Sequence, residues 1–123
     1  MYQLIGQGNK IALLSSSVRI DSPSAALELA VNIVHEAGTG DLAIPKECFP
    51  PEFFILSTGL AGEILQKWTN YQIRAAIFGD FSQHTSTSKP LRDFVFESNK
   101  RGENVFFVED QEQAVQRLSG GAL

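Results

Sequence analysis

Residues 56–79 read LSTGLAGEILQKWTNYQIRAAIFG, and this stretch decides the predicted fold. Apolar residues recur at helical spacing as far as Trp68, which predicts an amphipathic helix from about Ser57 to Trp68. The segment Ile73 to Gly79 then has the clearest strand pattern in the chain. A helix that leads directly into a buried strand is the repeating unit of an α/β domain.

The sequence on either side continues the same alternation of short strands and helices. Strands are predicted over residues 2–5, 10–15, 41–45, 73–79 and 105–108. Helices are predicted after Ser22-Pro23, after Ser57-Thr58, through Leu91 to Ser98 and after Asp110, with residues 81–89 as a polar loop. The order β-β-α-β-α-β-α-β-α predicts an α/β fold with a single-layered, mixed, mostly parallel sheet of about five strands and about four helices.

The composition describes one globular domain over residues 1–123, with a frayed tail from about residue 119. The net charge of −4 and the pI of about 5.1 argue against a broadly cationic nucleic-acid-binding surface. No apolar run is long enough to cross a bilayer, and the start of the chain lacks the pattern of a signal peptide. With Cys48 as the single cysteine, we expect a cytoplasmic protein that binds neither membrane nor nucleic acid.

Motifs that carry chemistry are sparse in this chain. The two histidines, His35 and His84, have no metal-ligand spacing, and Cys48 has no cysteine partner. The chain has neither a Gly-Lys-Ser/Thr phosphate loop nor a GxGxxG fingerprint. No local signature supports a serine- or cysteine-based catalytic triad. The sequence therefore assigns no catalytic residue, no metal and no cofactor.

Two hydroxyls, Ser57 and Thr58, stand directly before a glycine at the predicted start of a helix. The free N–H groups and the dipole at a helix N-terminus favour a negative group, including a phosphate, so the pair is a candidate phosphorylation site. Its alternative role is N-capping, in which a hydroxyl oxygen accepts a hydrogen bond from an unpaired N–H group. The neighbouring Gly59 and Gly62 either allow close approach of a ligand or partner, or serve tight packing of the helix on the sheet.

A second group of polar side chains follows the strand that ends at Gly79. Since the carboxyl ends of parallel strands line one edge of a sheet, we expect these side chains to face the same edge as Thr58. Alternatively, Asp80 and Ser82 only stabilise a turn, and Arg92 belongs to a solvated helix face. The candidate binding rim, called the rim below, consists of Ser57, Thr58, Gly59, Asp80, Ser82, His84 and Arg92.

Three segments of the second half carry a resemblance to a known family. They are Thr58 to Lys67 (TGLAGEILQK), Gly79 to Ser82 (GDFS) and Asp93 to Asn99 (DFVFESN). They resemble the signature of an uncharacterised bacterial family, domain-of-unknown-function family 4180. The resemblance covers roughly residues 41–118 and implies no activity.

The order of elements is similar to that of STAS domains, the anti-sigma-factor-antagonist or SpoIIAA-like type. Those domains carry Asp-Ser-Ser-Gly-Leu at the N-terminus of their second helix. The segment Leu56 to Leu60 (LSTGL) resembles that motif, with Leu56 in place of the aspartate. The resemblance implies that Thr58 occupies a phosphorylatable position, with Ser57 beside it.

Functions from different classes remain open on this reading. The first is a small regulatory or protein-interaction module, not an enzyme, that uses the rim to bind another protein or a second copy of itself as a homodimer. The alternative is a small-molecule-binding protein or enzyme that uses Asp80 and His84. A deep pocket around these two residues would favour the alternative, whereas a shallow, exposed surface at Ser57 and Thr58 would favour the first. A structural oligomerisation domain is a third option, and it predicts an exposed apolar patch.

Overall fold

The computed structural model describes residues 1–8, 10–101 and 104–119. Within them the chain forms one five-stranded mixed sheet, in the order β1-β2-β3-β4-β5, with five α-helices. The strands are β1 (Tyr2–Ile5), β2 (Ile11–Leu14), β3 (Asp41–Pro45), β4 (Arg74–Phe78) and β5 (Val105–Val108). The helices are α1 (Pro23–Ala37), α2 (Leu60–Asn70), α3 (Ser82–Thr85), α4 (Lys89–Arg101) and α5 (Gln111–Leu118). The predicted α/β class and mixed sheet are confirmed. The tail predicted from about residue 119 lies outside the described residues, apart from Ser119.

Strand β1 pairs antiparallel with β2, and every later pair in the sheet is parallel. Helices α1, α2 and α4 place Ala26, Ile64 and Leu91 in one apolar core, on what we call the three-helix face of the sheet. Helix α5 places Ala114 and Leu118 in a second core, on the α5 face. The sheet is therefore covered on both sides.

The central strand β3 contributes side chains to both cores. Leu42 and Ile44 belong to the core of the three-helix face, and Ala43 between them belongs to the core of the α5 face. All three side chains are fully buried. This explains why the strand is continuously apolar in sequence, because alternation of apolar and polar residues is expected only where one face meets water.

Local capping signals in the sequence are confirmed at three helix ends. The Ser22 hydroxyl accepts a hydrogen bond from the N–H of Ala25 at 3.1 Å at the start of α1. That helix ends at Gly38, which has a φ of +73° in the left-handed region. The Asp110 carboxylate accepts from the N–H of Gln113 at 2.9 Å and starts α5.

The predicted start of the second helix is wrong by three residues, since α2 begins at Leu60 and not at Ser57. Residues Leu56–Thr58 instead form a separate 3₁₀ turn. The cause is Gly59, whose φ of +80° interrupts the right-handed backbone between the turn and the helix. The hydroxyl pair therefore lies in the turn before the helix, two and three residues ahead of Leu60.

The predicted count of about four helices is also wrong, because the segment 81–89 is not simply a loop. It contains the one-turn helix α3, which the sequence analysis did not separate from its polar surroundings. Its side chains are mostly polar and carry no apolar period, so the helical pattern was not visible. No helix in the described residues is both long and apolar enough to cross a membrane.

Residues 46–58 form a connection of three 3₁₀ turns that is packed onto the three-helix face; we call it the 3₁₀ connection. Its Phe49 and Phe53 rings stack with centroids 4.2 Å apart, and the Phe49 ring meets Trp68 of α2 edge-on at 6.4 Å. The Trp68 indole N–H in turn donates to the carbonyl of Ala26 in α1 at 3.0 Å. The connection is therefore packed against α2, as its phenylalanine content predicts, and Trp68 in turn joins α2 to α1.

Ile77 tests the buried sheet, because it is fully buried on a strand that is paired on both sides. Ile77→Asp should abolish cooperative folding, since an unpaired buried carboxylate costs several kcal/mol against a total stability of about 5–15 kcal/mol. Circular dichroism during urea denaturation measures the effect. Phe96→Asp is the control, because Phe96 is 64% exposed and should tolerate the same change. A cooperative transition for Ile77→Asp at the parent midpoint would contradict the assigned fold.

Candidate functional site

The loops that leave β3 and β4 meet at the carboxyl edge of the sheet. Lys46 directly follows β3, and its Nζ donates a hydrogen bond to the carbonyl oxygen of Asp80, just after β4. The side chain of Lys46 lies so close to Gly79 that a Cβ at residue 79 would stand 2.7 Å from Lys46 Cγ. Gly79 also has a φ of +147°, which glycine adopts far more readily than other residues. Lys46 therefore supports the rim, although the sequence analysis did not single it out.

Asp80 organises the start of the polar segment. Its Oδ1 accepts a hydrogen bond from the N–H of Ser82 at 2.9 Å. Hydrogen bonds from the hydroxyl and N–H of Ser82, with the positive charge of Lys46, lower the pKa of Asp80 from its ordinary value of 3.8, although desolvation opposes the shift. Asp80 is therefore ionised near neutral pH, and it performs the turn-stabilising role foreseen as one of its alternatives.

His84 connects the polar segment to the 3₁₀ connection. Its ring is half-buried and stacks on the ring of Phe54, with centroids 4.4 Å apart and planes 10° from parallel. The ring centroids of Phe54 and Phe81 are 6.1 Å apart. The Phe81 ring meets the Phe107 ring of β5 edge-on, with centroids 5.7 Å apart. The imidazole thus rests on a continuous aromatic layer that belongs to the core.

Arg92 joins the same region from α4. Its Nη1 donates to the carbonyl oxygen of Thr85, the last residue of α3, at 3.1 Å. The hydroxyl of Thr85 in turn donates to the carbonyl of Phe81 at 3.1 Å. The hydrogen bond to Thr85 ties α3 to α4. Because Arg92 is exposed, its guanidinium also remains accessible at the surface.

Thr58 and Ser57 have different surroundings, although both are exposed. The Thr58 hydroxyl lies 2.8 Å from the carbonyl oxygens of both Glu52 and Ile55, which share its single donated hydrogen. Its oxygen also accepts from the N–H of Leu60 at 3.3 Å, so it caps α2 from outside the helix. Ser57 lies in the same 3₁₀ turn with its side chain toward solvent.

The 3₁₀ connection links Thr58 to His84, one residue from each half of the predicted rim. Thr58 is bonded to Glu52, and Phe54, two residues further on, stacks on His84. Five members of the rim are exposed to solvent, and Gly59 and His84 are half-buried. The exposed members are Ser57, Thr58, Asp80, Ser82 and Arg92. The rim is therefore an open surface, and its Asp80 is not enclosed in a deep pocket.

The two glycines near the start of α2, Gly59 and Gly62, have different roles. Gly59 provides the left-handed turn before the helix. Gly62 is different, because a Cβ built on it would meet no atom within 4 Å. The interpretation that Gly62 serves tight packing of the helix on the sheet is therefore wrong. Instead it lines a groove of about 340 Å³ between α2 and α4, with Leu65 and Phe94 among the apolar lining residues and Arg101 among the polar ones.

The surroundings of Cys48 are those of a buried, unreactive thiol. Cys48 is fully buried, and desolvation raises the pKa of its thiol to about 11. It is protonated at neutral pH, and its Sγ donates to the carbonyl of Ser15 at 3.3 Å. In the part of the chain that the structure describes, no three His, Cys, Asp or Glu side chains are grouped to hold a metal ion.

The fold and the rim define a small α/β domain with an open polar edge. The family model described as "Domain of unknown function (DUF4180)" matches residues 6–118. The chain therefore belongs to this family, as the resemblance of its three segments predicted. No curated protein and no solved structure matches the chain.

The contrast between Gly79 and Gly62 gives a stability test. Gly79→Ala should destabilise the protein by about 1–3 kcal/mol, because the new Cβ meets Lys46 and the backbone is strained for alanine. Gly62→Ala, the matched control, should stabilise it by about 0.5–1 kcal/mol, because alanine favours a helix and the space is open. Chemical denaturation measures both. Equal effects of the two substitutions would contradict the assigned geometry.

The lowered pKa of Asp80 predicts a pH dependence. Because the folded-state pKa lies below the unfolded value of 3.8, ionised Asp80 stabilises the fold above that pH, and the contribution disappears as the pH falls through the folded-state pKa. Wild type should therefore be more stable than Asp80→Asn near neutral pH, and the difference should vanish in strong acid. Urea denaturation over a pH series measures it. A difference that persists unchanged in acid would show that the charge of Asp80 is not the cause.

Proposed function

We propose that this protein is a non-enzymatic, regulatory protein-interaction module and that the rim is its working surface. The observation that carries the proposal is the stack of His84 on Phe54, which holds two polar segments together on a rigid aromatic base. A preorganised surface loses little conformational entropy when a partner binds. Its partner is another protein, because an open surface suits a macromolecule, whereas small ligands are usually held in concave pockets.

The charges of the rim suggest how a partner is recognised. Asp80 and Arg92 are both exposed, and both are held by hydrogen bonds to the backbone around α3. Fixed charges of opposite sign on one surface favour a partner that carries a complementary pair of charges. Such pairs determine orientation and association rate more than affinity. The buried, protonated Cys48 is consistent with a reducing compartment, and we include a cytoplasmic location in the proposal.

The proposal includes regulation by phosphorylation in the turn Leu56–Thr58, and it rests on the resemblance of the segment Leu56 to Leu60 to the STAS motif. Ser57 is the better acceptor of the two hydroxyls. Modification of Thr58 would break its contacts to the carbonyls of Glu52 and Ile55, which hold the turn together. A phosphate on exposed Ser57 would leave these contacts in place and add charge and bulk beside the rim.

Charge reversal on α4 tests the working surface. Arg92→Glu should lose the proteins that immobilised wild-type protein captures from native lysate, because Arg92 lies in the rim. Lys100→Glu is the matched control, since it makes the same charge change on an exposed residue of the same helix, roughly 12 Å further along its axis. Lys100→Glu should keep the parent free energy of unfolding within about 0.5 kcal/mol. Arg92→Glu loses the hydrogen bond to Thr85, so it should lower the free energy of unfolding by no more than about 1.5 kcal/mol and stay folded. Capture of the same proteins by wild type and Arg92→Glu would refute the proposed surface.

The same capture experiment tests the hydroxyls. Ser57→Glu should change the captured set while leaving the fold intact, and Ser57→Ala should bind as unmodified wild type does. Thr58→Ala should instead lower stability by about 1 kcal/mol, because it removes a hydroxyl that caps α2. Intact-mass measurement of the protein from its native host should show one added phosphate that is absent from Ser57→Ala. An unmodified mass under all growth conditions would remove phosphorylation from the proposal.

A further inference from the structure

Strand β5 lies at the edge of the sheet and has the sequence Val-Phe-Phe-Val. It is apolar throughout and contains only β-branched and aromatic residues, without charge, proline or glycine. An exposed edge of this kind is a template on which another chain can add a strand. Its two faces are covered, since Val105 and Phe107 lie in the core of the three-helix face and Phe106 and Val108 in that of the α5 face.

The outward backbone groups of β5 belong to Val105 and, at the centre of the exposed edge, to Phe107. On the inner side, the carbonyls of Asn104 and Val108 accept hydrogen bonds from the chain of β4. Since alternate residues of a strand direct their backbone groups to opposite sides, the N–H and C=O of Phe107 point away from β4. These are the groups that a further strand would engage.

The side chain of Asn99 occupies this position. The N–H of Phe107 donates to Asn99 Oδ1 at 2.7 Å, and Asn99 Nδ2 donates to the carbonyl oxygen of Phe107 at 2.9 Å. A carboxamide presents its oxygen beside one of its N–H donors, as a residue of a strand presents its C=O and N–H on the same side. Asn99 therefore makes with Phe107 the pair of hydrogen bonds that a neighbouring strand would make.

Two further contacts reinforce the arrangement. The next outward N–H along the chain, that of Glu109, donates to the Gln113 side-chain oxygen at 3.2 Å. The main-chain carbonyl oxygen of Asn99 accepts a hydrogen bond from Arg117 Nη2 at 3.3 Å. The guanidinium of Arg117 lies 4.3 Å from the centre of the Phe106 ring. Helices α4 and α5 are thus both fixed to the edge that their amide side chains cover.

We propose that Asn99 is an edge cap, which prevents a second copy of this chain from adding its own β5 to the sheet. The occupant excluded is a second copy because identical uncharged β-branched and aromatic strands pair without charge repulsion. This role is independent of the rim and of any partner bound there. It differs from a simple tie between helix and strand, because loss of a tie destabilises the monomer, whereas loss of an edge cap also creates a new association site.

Three variants separate these roles. Asn99→Ala uncovers the edge. Asn99→Asp keeps an acceptor for the N–H of Phe107 but places a negative charge at the edge, which should block strand addition. Thr39→Ala is the control for destabilisation, since the buried Thr39 hydroxyl also makes two backbone contacts, to Lys10 and Asp41, beside an interior strand.

Sedimentation velocity over a concentration series should show self-association of Asn99→Ala at least roughly tenfold tighter than that of wild type. Asn99→Asp and Thr39→Ala should behave as wild type does. Hydrogen exchange resolved by NMR should show that the Phe107 amide of Asn99→Ala exchanges fast when dilute and becomes protected as concentration rises. The proposal is overturned if Asn99→Ala associates no more than wild type, if Thr39→Ala associates equally, or if Phe107 remains unprotected in the assembly.

Discussion

The interior strands β3 and β4 are buried on both faces, and the positions of the other elements follow from this constraint. Side chains such as Leu42 and Ile44 require one apolar layer, and Ala43 requires another on the opposite side. Helices α1, α2 and α4 supply the first layer, and α5 supplies the second. With both faces occupied, polar side chains are left to the ends of the strands and to the edges of the sheet, and there both proposals arise.

The aromatic layer links this core to the surface. Rings continue from Trp68 through Phe49, Phe53 and Phe54 to the imidazole of His84 at the rim. A rigid base of this kind lets an exposed polar surface keep one shape without a pocket to enclose it. Lys46 adds a second support, because its stem covers Gly79 and its Nζ holds the carbonyl of Asp80.

Much of the rim was predictable, because strand ends are visible in sequence. The position of Asp80 after β4 placed it at the carboxyl edge, and its hydrogen bond to Ser82 is the local turn chemistry expected of aspartate. The support from Lys46 was less visible, since it depends on the register between β3 and β4. Lys46 and Asp80 are 34 residues apart in sequence. The stack of Phe54 on His84 was not predictable either, because a phenylalanine pattern indicates burial but not which ring it meets.

The sequence by itself determined the strands, the main helices, the caps at Ser22 and Asp110, and the membership of the family, because each rests on residues close together in the chain. The tertiary structure alone decided the start of α2, the openness of the rim and the covering of β5 by Asn99. These features depend on a backbone conformation at Gly59 and on contacts between elements. Periodicity cannot show them, because it records which side of an element is buried and not what covers it.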